Sequence, residues 1–213
     1  MKPQRAPEHQ HRTSVRVASV NELERIAALH QEQFGDHFLG QFSTRLIGAF
    51  YRELLRECLL LVAEQTGPAE QTGPAEQTGA IVGFVLGGNS TGIGQAKNRF
   101  IRRNLLRFAL EVVTRPRVYS MIWSRLRGRF RRRRGGVRSQ AEMRLLSIAV
   151  TDPVKGTGVA VDLVDKFEAA LGGVPMYGLS VKEDNKRAIG FYEKLGFIRE
   201  ARSGHSVLYL RKL

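Results

Sequence analysis

Residues 143–172 read MRLLSIAVTDPVKGTGVAVDLVDKFEAALG, and this stretch decides the fold. Met143–Val150 is a short apolar run with the length of a buried strand. Thr151-Asp152-Pro153 ends it, because proline fixes φ and withholds a ladder donor. Past Lys155-Gly156-Thr157-Gly158, the residues Val159, Leu163 and Phe167 recur every four positions, with Ala160, Val164 and Leu171 widening the stripe. That spacing predicts a core-facing helix. Gly172-Gly173 then supplies residues able to take the left-handed conformation that ends helices.

A strand that turns sharply into a helix leaves the first N–H groups of the helix unpaired. The helix dipole adds partial positive charge at the same point, so phosphate docks there. Glycine allows the backbone to approach the anion closely, and Lys155 brings a full charge. The turn therefore suits a pyrophosphate, against the competing reading of a Gly-rich turn that binds nothing. It is not a P-loop, since Gly158 is not followed by Lys and Ser or Thr. Nor is it a dinucleotide fingerprint, because Val161 stands where the third small residue is needed.

The second informative segment is LSVKEDNKRAIGFYEKLGF, residues 179–197. Together the two segments resemble the GCN5-related N-acetyltransferase (GNAT) superfamily. The family's phosphate turn, Q/R-x-x-G-x-G/A, is matched over residues 155–160 at Gly158 and Ala160. Lys155 stands where Gln or Arg is usual, which keeps a charge but loses a planar donor. Asn185, Ala188, Tyr192 and Gly196-Phe197 match a second motif, N-x-x-A-x-x-x-Y-x-x-x-G-F. The resemblance covers about residues 14–213, with two interruptions.

It implies an α+β, three-layer fold whose mixed central sheet has parallel, splayed fourth and fifth strands. It also implies acetyl-CoA as acetyl donor, an amine acceptor, direct attack within a ternary complex, and no metal. The cofactor would be held by Ile148, Ala149 and Val150, by the turn Lys155, Gly156, Thr157, Gly158, Val159 and Ala160, and by Asn185, Ala188 and Tyr192. Tyr192 would protonate the leaving thiolate, and a backbone N–H near residues 148–150 would polarise the thioester carbonyl. Glu142 is the first candidate for the base, followed by His37 and by Ser147 acting through water. Phe34, His37 and Phe38 are expected on the acceptor side, although they would serve equally to pack their loop onto the core.

Elsewhere the chain reads as one domain. Residues 1–13 are polar, without a secretory apolar core, and are expected to form a disordered arm before a domain spanning 14–213. Cys58 is the single cysteine, which excludes an intrachain disulfide and fits a reducing cytosol. Ser14–Ala18 predicts a first strand. Asn21 followed by Glu24 predicts a capped helix start, and a second helix is expected near Phe42–Cys58. Leu59–Glu64 and Ala80–Gly87 predict two more strands. Between them, residues 64–80 repeat the hexapeptide EQTGPA, which has no hydrophobic residue for a core and predicts a lengthened hairpin loop. Pro175–Val181, a helix capped by Asp184-Asn185, and a hairpin turning at Ser203-Gly204 complete the order.

The second interruption, residues 89–141, is expected to be a basic helical insertion. Residues 97–138 hold Lys97 and fourteen arginines against Glu111 alone, which equals the chain's whole formal charge of +14. One amphipathic helix is predicted, with Ile101, Leu105, Phe108 and Val112 forming one stripe against Arg99, Arg102, Arg103 and Arg107. A second is predicted after Pro116, with Val118, Ile122 and Leu126 on one face beside Trp123. Three readings stay open for this insertion: a solvated flap, a lipid-surface contact, or non-specific nucleic-acid binding. The expected location is the cytoplasm, with attachment to a membrane periphery under the second reading. The function implied is N-acetyl transfer to a primary amine. The alternative is a non-catalytic basic protein of the same fold on an anionic membrane or nucleic acid.

Overall fold

A computed structural model describes residues 12–66, 79–115 and 139–213. In chain order the elements are β1 (Arg12–Val17), α1 (Leu23–Gln33), α2 (Thr44–Leu54), β2 (Cys58–Thr66), β3 (Ala80–Asn89) and α3 (Ser90–Thr114). They continue with β4 (Met143–Val150), α4 (Val159–Leu171), β5 (Met176–Lys182), α5 (Lys186–Lys194), β6 (Ile198–Ser203) and β7 (Ser206–Lys212). The strands form one sheet in the order β1-β2-β3-β4-β5-β7-β6. Every neighbouring pair is antiparallel except β4 and β5. This is the expected α+β architecture.

Two cores sandwich the sheet. On one face Ile26, Leu46, Ile47, Tyr51 and Leu54 of α1 and α2, with Ala96 and Phe100 of α3, pack on Leu60, Val62, Phe84 and Leu86. On the other, Val159, Leu163 and Phe167 of α4 and Tyr192 of α5 pack on Val82, Val85, Leu145, Tyr177, Leu179 and Val207. The stripe read from the sequence of α4 is the one that is buried. Helix α4 approaches β3 so closely that a Cβ on Gly87 would overlap the Phe167 ring and the Arg144 carbonyl.

Several expectations need correction. Arg12 and Thr13 belong to β1, paired with Thr66 and Gln65, rather than to an N-terminal arm; residues 1–11 lie outside the described residues. The centre of the repeat loop, 67–78, and the second basic helix with its Arg131–Arg134 tail, within 116–138, lie outside them too. Asn21 does not cap α1. A 3-10 turn, Val20–Glu22, precedes the helix, and the Glu22 carboxylate accepts the Ser19 backbone N–H at 2.7 Å. The same carboxylate meets Arg16 at 2.6 Å, which holds Glu22 far below the usual carboxylate range.

Helix α3 departs most from expectation. It starts at Ser90, at the beginning of the expected insertion, capped by Asn89, whose Oδ1 accepts the Thr91 N–H at 2.8 Å. Its buried residues are Ile93, Ala96 and Phe100. At Asn104 the backbone leaves helical geometry (φ −118°, ψ 18°), and the side-chain amide donates to the Phe100 carbonyl at 3.1 Å. The kink rotates the second half relative to the first. Ile101, before the kink, is exposed, and so is Leu105 just after it, while Phe108 and Val112 pack against the α1–α2 core, so the predicted stripe does not stay on one face. Arg99 and Arg103 are not merely solvated: the exposed Arg103 meets the buried Glu53 of α2 at 2.8 Å, and the part-buried Arg99 meets Glu57 at 2.7 Å.

Overpacking of a filled site typically costs about 1–3 kcal/mol. Gly87→Ala should therefore lower stability by about that amount in urea denaturation. Unchanged stability would mean that α4 and β3 are not in the contact described.

Candidate active site

The site begins with a defect in β4. Leu86 pairs with Ser147 and Gly87 with Leu145, so Leu146 is an extra residue without a partner on β3. Such a bulge bends its strand. Strands β4 and β5 pair only at Met143–Tyr177 and Arg144–Gly178, just before the bulge, and then separate. An open slot follows in the middle of the sheet.

The Thr151 N–H donates to the Val82 carbonyl at 2.8 Å. Alternation along an antiparallel pair then turns the backbone groups of Ala149 and Ser147 toward β3 and those of Ile148 and Val150 into the slot. Ala149 is thus set apart from its two neighbours, and its side chain packs in the α1–α2 core. Ile148 and Val150 present donors and acceptors along the slot's edge that have no partner among the described residues. Buried backbone groups require partners, so an extended ligand with amides of its own fits there.

At the open end of the slot lies the glycine turn. Gly156 and Gly158 have φ values of 89° and 98°, a region that L side chains rarely adopt, and nothing lies within 4 Å of where their Cβ atoms would be. The N–H groups of Lys155, Thr157, Val161 and Asp162 are used within the turn and first helical turn. Those of Gly156, Gly158, Val159 and Ala160 have no partner among the described residues. Four N–H groups are thus left without partners around the positive start of α4, an arrangement, termed the cradle, that favours an anion. Thr157 is occupied internally, its Oγ1 donating to the Val154 carbonyl at 2.8 Å. The Lys155 ammonium is paired with Asp152, a partner three residues back that sequence reading missed.

Tyr192 is buried in the α5 face, its ring 5.2 Å from those of Phe191 and Phe197. It shares a cluster with Val154 and Val159, which flank the cradle, and with Ile148 of the slot. Its hydroxyl makes no hydrogen bond among the described residues, and burial raises its pKa well above that of a free phenol. At neutral pH it therefore holds its proton. Asn185 Oδ1 accepts the Ala188 N–H at 3.0 Å and caps α5, which leaves its amide NH₂ for other partners. Ala188 packs at the edge of the Tyr192 cluster.

Glu142 lies before the paired residues Met143 and Arg144, beyond the closed end of the slot, with its side chain exposed. The structure does not bring it together with the cradle and Tyr192. His37 sits in the loop after α1, half-buried; burial and then the Lys182 charge lower its pKa. Phe34 packs between His37 and His30, 5.3 Å and 4.8 Å away ring to ring. Phe38 meets Phe42 edge-on at 5.1 Å. Both phenylalanines thus pack their loop on the α1–α2 core.

Behind this loop is a group that sequence reading missed. His30 Nδ1 lies 2.8 Å from the Tyr51 hydroxyl, which also interacts with Ser147, while His30 Nε2 is buried without a partner. Its only sequence signal is a histidine closing the apolar stripe of α1.

The acetyltransferase (GNAT) family profile matches residues 23–197, and the chain belongs to that family. It is accordingly an acyltransferase of the N-acetyltransferase type. No curated protein matches by sequence. Solved structures do match in fold. The PaiA N-acetyltransferase of Thermoplasma acidophilum, solved with coenzyme A, superposes with TM-score 0.53 at 16% identity, over 95% of this chain and 99% of that one. Ard1 of Thermoplasma volcanium gives 0.53 at 20% identity, over 94% and 97%. NAA60 of Arabidopsis thaliana, solved with acetyl-CoA, gives 0.55 at 13% identity, over 95% and 99%.

Burial depresses the His30 pKa from 6.5 to about 4. The unfolded chain takes up this proton as pH falls through 6.5, whereas the folded protein resists until about 4. The stability contributed is thus complete above pH 6.5 and is lost by pH 4, by roughly 3 kcal/mol at most. His30→Gln should flatten this part of a stability-against-pH curve. Glu22 titrates in a lower window, so a variant curve as steep as wild type between pH 6.5 and 4 would contradict the assignment.

Proposed function

We propose that this protein moves the acetyl group of acetyl-CoA onto a primary amine by direct attack, with donor and acceptor bound together. The observation that carries the reading is the set of backbone groups without partners among the described residues, at Ile148 and Val150 and then at the four N–H groups of the cradle. Coenzyme A has matching chemistry in the same order: an extended arm with two amides, then a pyrophosphate. The residues present therefore fit it. The donor supplies an activated thioester whose carbonyl can be attacked by an uncharged amine.

In this reading the cradle N–H groups and the Lys155 ammonium take the pyrophosphate, Lys155 leaving Asp152 to do so. The backbone of Ile148 and Val150 bonds the pantetheine amides, and the Asn185 NH₂ steadies the arm at the far side. With the donor bound, an N–H on the slot edge of β4 would be available to stabilise the negative charge that develops on the thioester oxygen. Tyr192, kept protonated by burial, gives its proton to the departing sulfur. His37 stands at the acceptor side, neutral at pH 7 and able to take the amine's proton. Glu142 is less suited because it lies past the slot's closed end, and Ser147 is engaged with Tyr51. The NatC complex with a Gag peptide, a structural neighbour at 14% identity, supports including peptide amines among candidate acceptors beside polyamines and amino sugars.

Calorimetry with coenzyme A, followed by thiol release across such an acceptor panel, tests the proposal. Binding with no acetyl transfer to any amine would favour a non-catalytic protein. Tyr192→Phe keeps the ring and removes the proton. Acid catalysis contributes about 10²–10⁴-fold, so turnover should fall by that order while coenzyme A affinity is kept. Turnover within a few-fold of wild type would exclude Tyr192 as the acid.

A further inference from the structure

Helix α3 carries an apolar face that no described residue covers. Past the Asn104 kink, Leu105, Leu106, Leu110 and Val113 are 57%, 86%, 64% and 78% exposed, with Ala109 exposed among them. At 3.6 residues per turn these five positions share an arc of about 140° that contains no charge. The opposite side anchors the helix: Phe42 and Phe108 stack at 5.2 Å, and Glu111 accepts the Ser43 N–H at 2.8 Å.

A second observation adjoins the first. Along the edge of the arc, Arg107 faces a groove of about 720 Å³ between the start of α1, α2 and α3, which Arg45, Arg52, Arg56 and Arg103 also line. Arg103 and Arg56 are engaged by Glu53, at 2.8 and 3.7 Å. Arg45, Arg52 and Arg107 have no acidic partner among the described residues. Arg107, Arg45 and Leu110 also line one smaller hollow beside it, so the cationic groove and the apolar arc are continuous.

We propose that this face docks the enzyme on an anionic lipid bilayer. Arg45, Arg52 and Arg107 take headgroup phosphates, and Leu105, Leu106, Leu110 and Val113 enter the boundary with the acyl chains. Charge selects this occupant over the others. A second copy would set one +14 segment (residues 97–138) against another. A nucleic acid would satisfy the arginines but offers nothing to the apolar arc. An anionic bilayer presents both chemistries in one surface. No helix among the described residues is long and apolar enough to cross it, and the docking proposed here is at the surface. The contacts of Phe108 and Glu111 with residues 42 and 43 hold the acceptor-side loop next to the docked surface. The inference does not depend on the acetyl-transfer reading.

The test is co-sedimentation of the full chain with phosphatidylcholine vesicles, with and without phosphatidylglycerol. Binding is expected only with phosphatidylglycerol, and it should weaken with salt. Leu106→Glu/Val113→Glu should lower vesicle partition by at least about tenfold. Arg45→Ser/Arg107→Ser should do the same with less salt dependence. Coenzyme A affinity and melting temperature should be kept in both variants. Four outcomes overturn the proposal: no binding by wild type, equal binding by the glutamate variant, a wild-type dimer that the variant makes monomeric, or a large loss of melting temperature in that variant. The last would mean that the arc is covered by the chain's own residues 116–138. Binding to duplex DNA that the glutamate variant retains, without vesicle binding, would assign the arginines to nucleic acid instead.

Discussion

The early parting of β4 from β5 is the constraint on which the site depends. A sheet that stayed paired through residues 145–150 would satisfy every backbone group and leave nothing for a ligand. The extra residue at Leu146 bends β4 just after its two paired positions, so the edge carrying Ile148 and Val150 faces open space. Unpaired groups in the middle of a sheet are costly unless something bonds them. The fold tolerates the defect because both flanks are held elsewhere. β4 remains laddered to β3, and β5 is fully paired to β7.

The glycine turn follows from the same geometry. A strand leaving the sheet at Val150 must reverse into α4, which is fixed against β3 by Leu163 and Phe167. Gly156 and Gly158 take the left-handed values needed for that reversal, and four N–H groups are left without partners among the described residues. Tyr192 arrives from the far side through α5, which packs into the same apolar cluster as the start of α4. Cradle, edge and phenol are thus held by one core rather than by mobile loops. The acceptor side is built differently, from a loop whose aromatic residues pack on the opposite core.

Much of this was legible in the sequence. The repeat of Val159, Leu163 and Phe167, the turn glycines and the Asn185–Tyr192 spacing are local patterns, and the elements they predict form at those residues. The bulge at Leu146 was not legible, because a one-residue insertion in an apolar run leaves the run's composition unchanged. Helix α3 misled for a related reason. Its stripe was read as continuous from Ile101 to Val112, but the kink at Asn104 shifts the phase, so residues before it follow a different face. Arg99 and Arg103 looked like solvated charges because their partners, Glu53 and Glu57, lie more than forty positions away. His30 shows the same limit: its partner Tyr51 and its burial are tertiary facts.

The account's central claim is that coenzyme A binds along one continuous line of unpaired backbone N–H groups. Amide hydrogen exchange, resolved by residue with and without coenzyme A, tests it most directly. The amides of Gly156, Gly158, Val159 and Ala160, together with those of Ile148 and Val150, should slow strongly on binding, while that of Ala149, already turned toward β3, should change little. Saturating binding that leaves the six unprotected, or protects instead the groove beside α3, would contradict it.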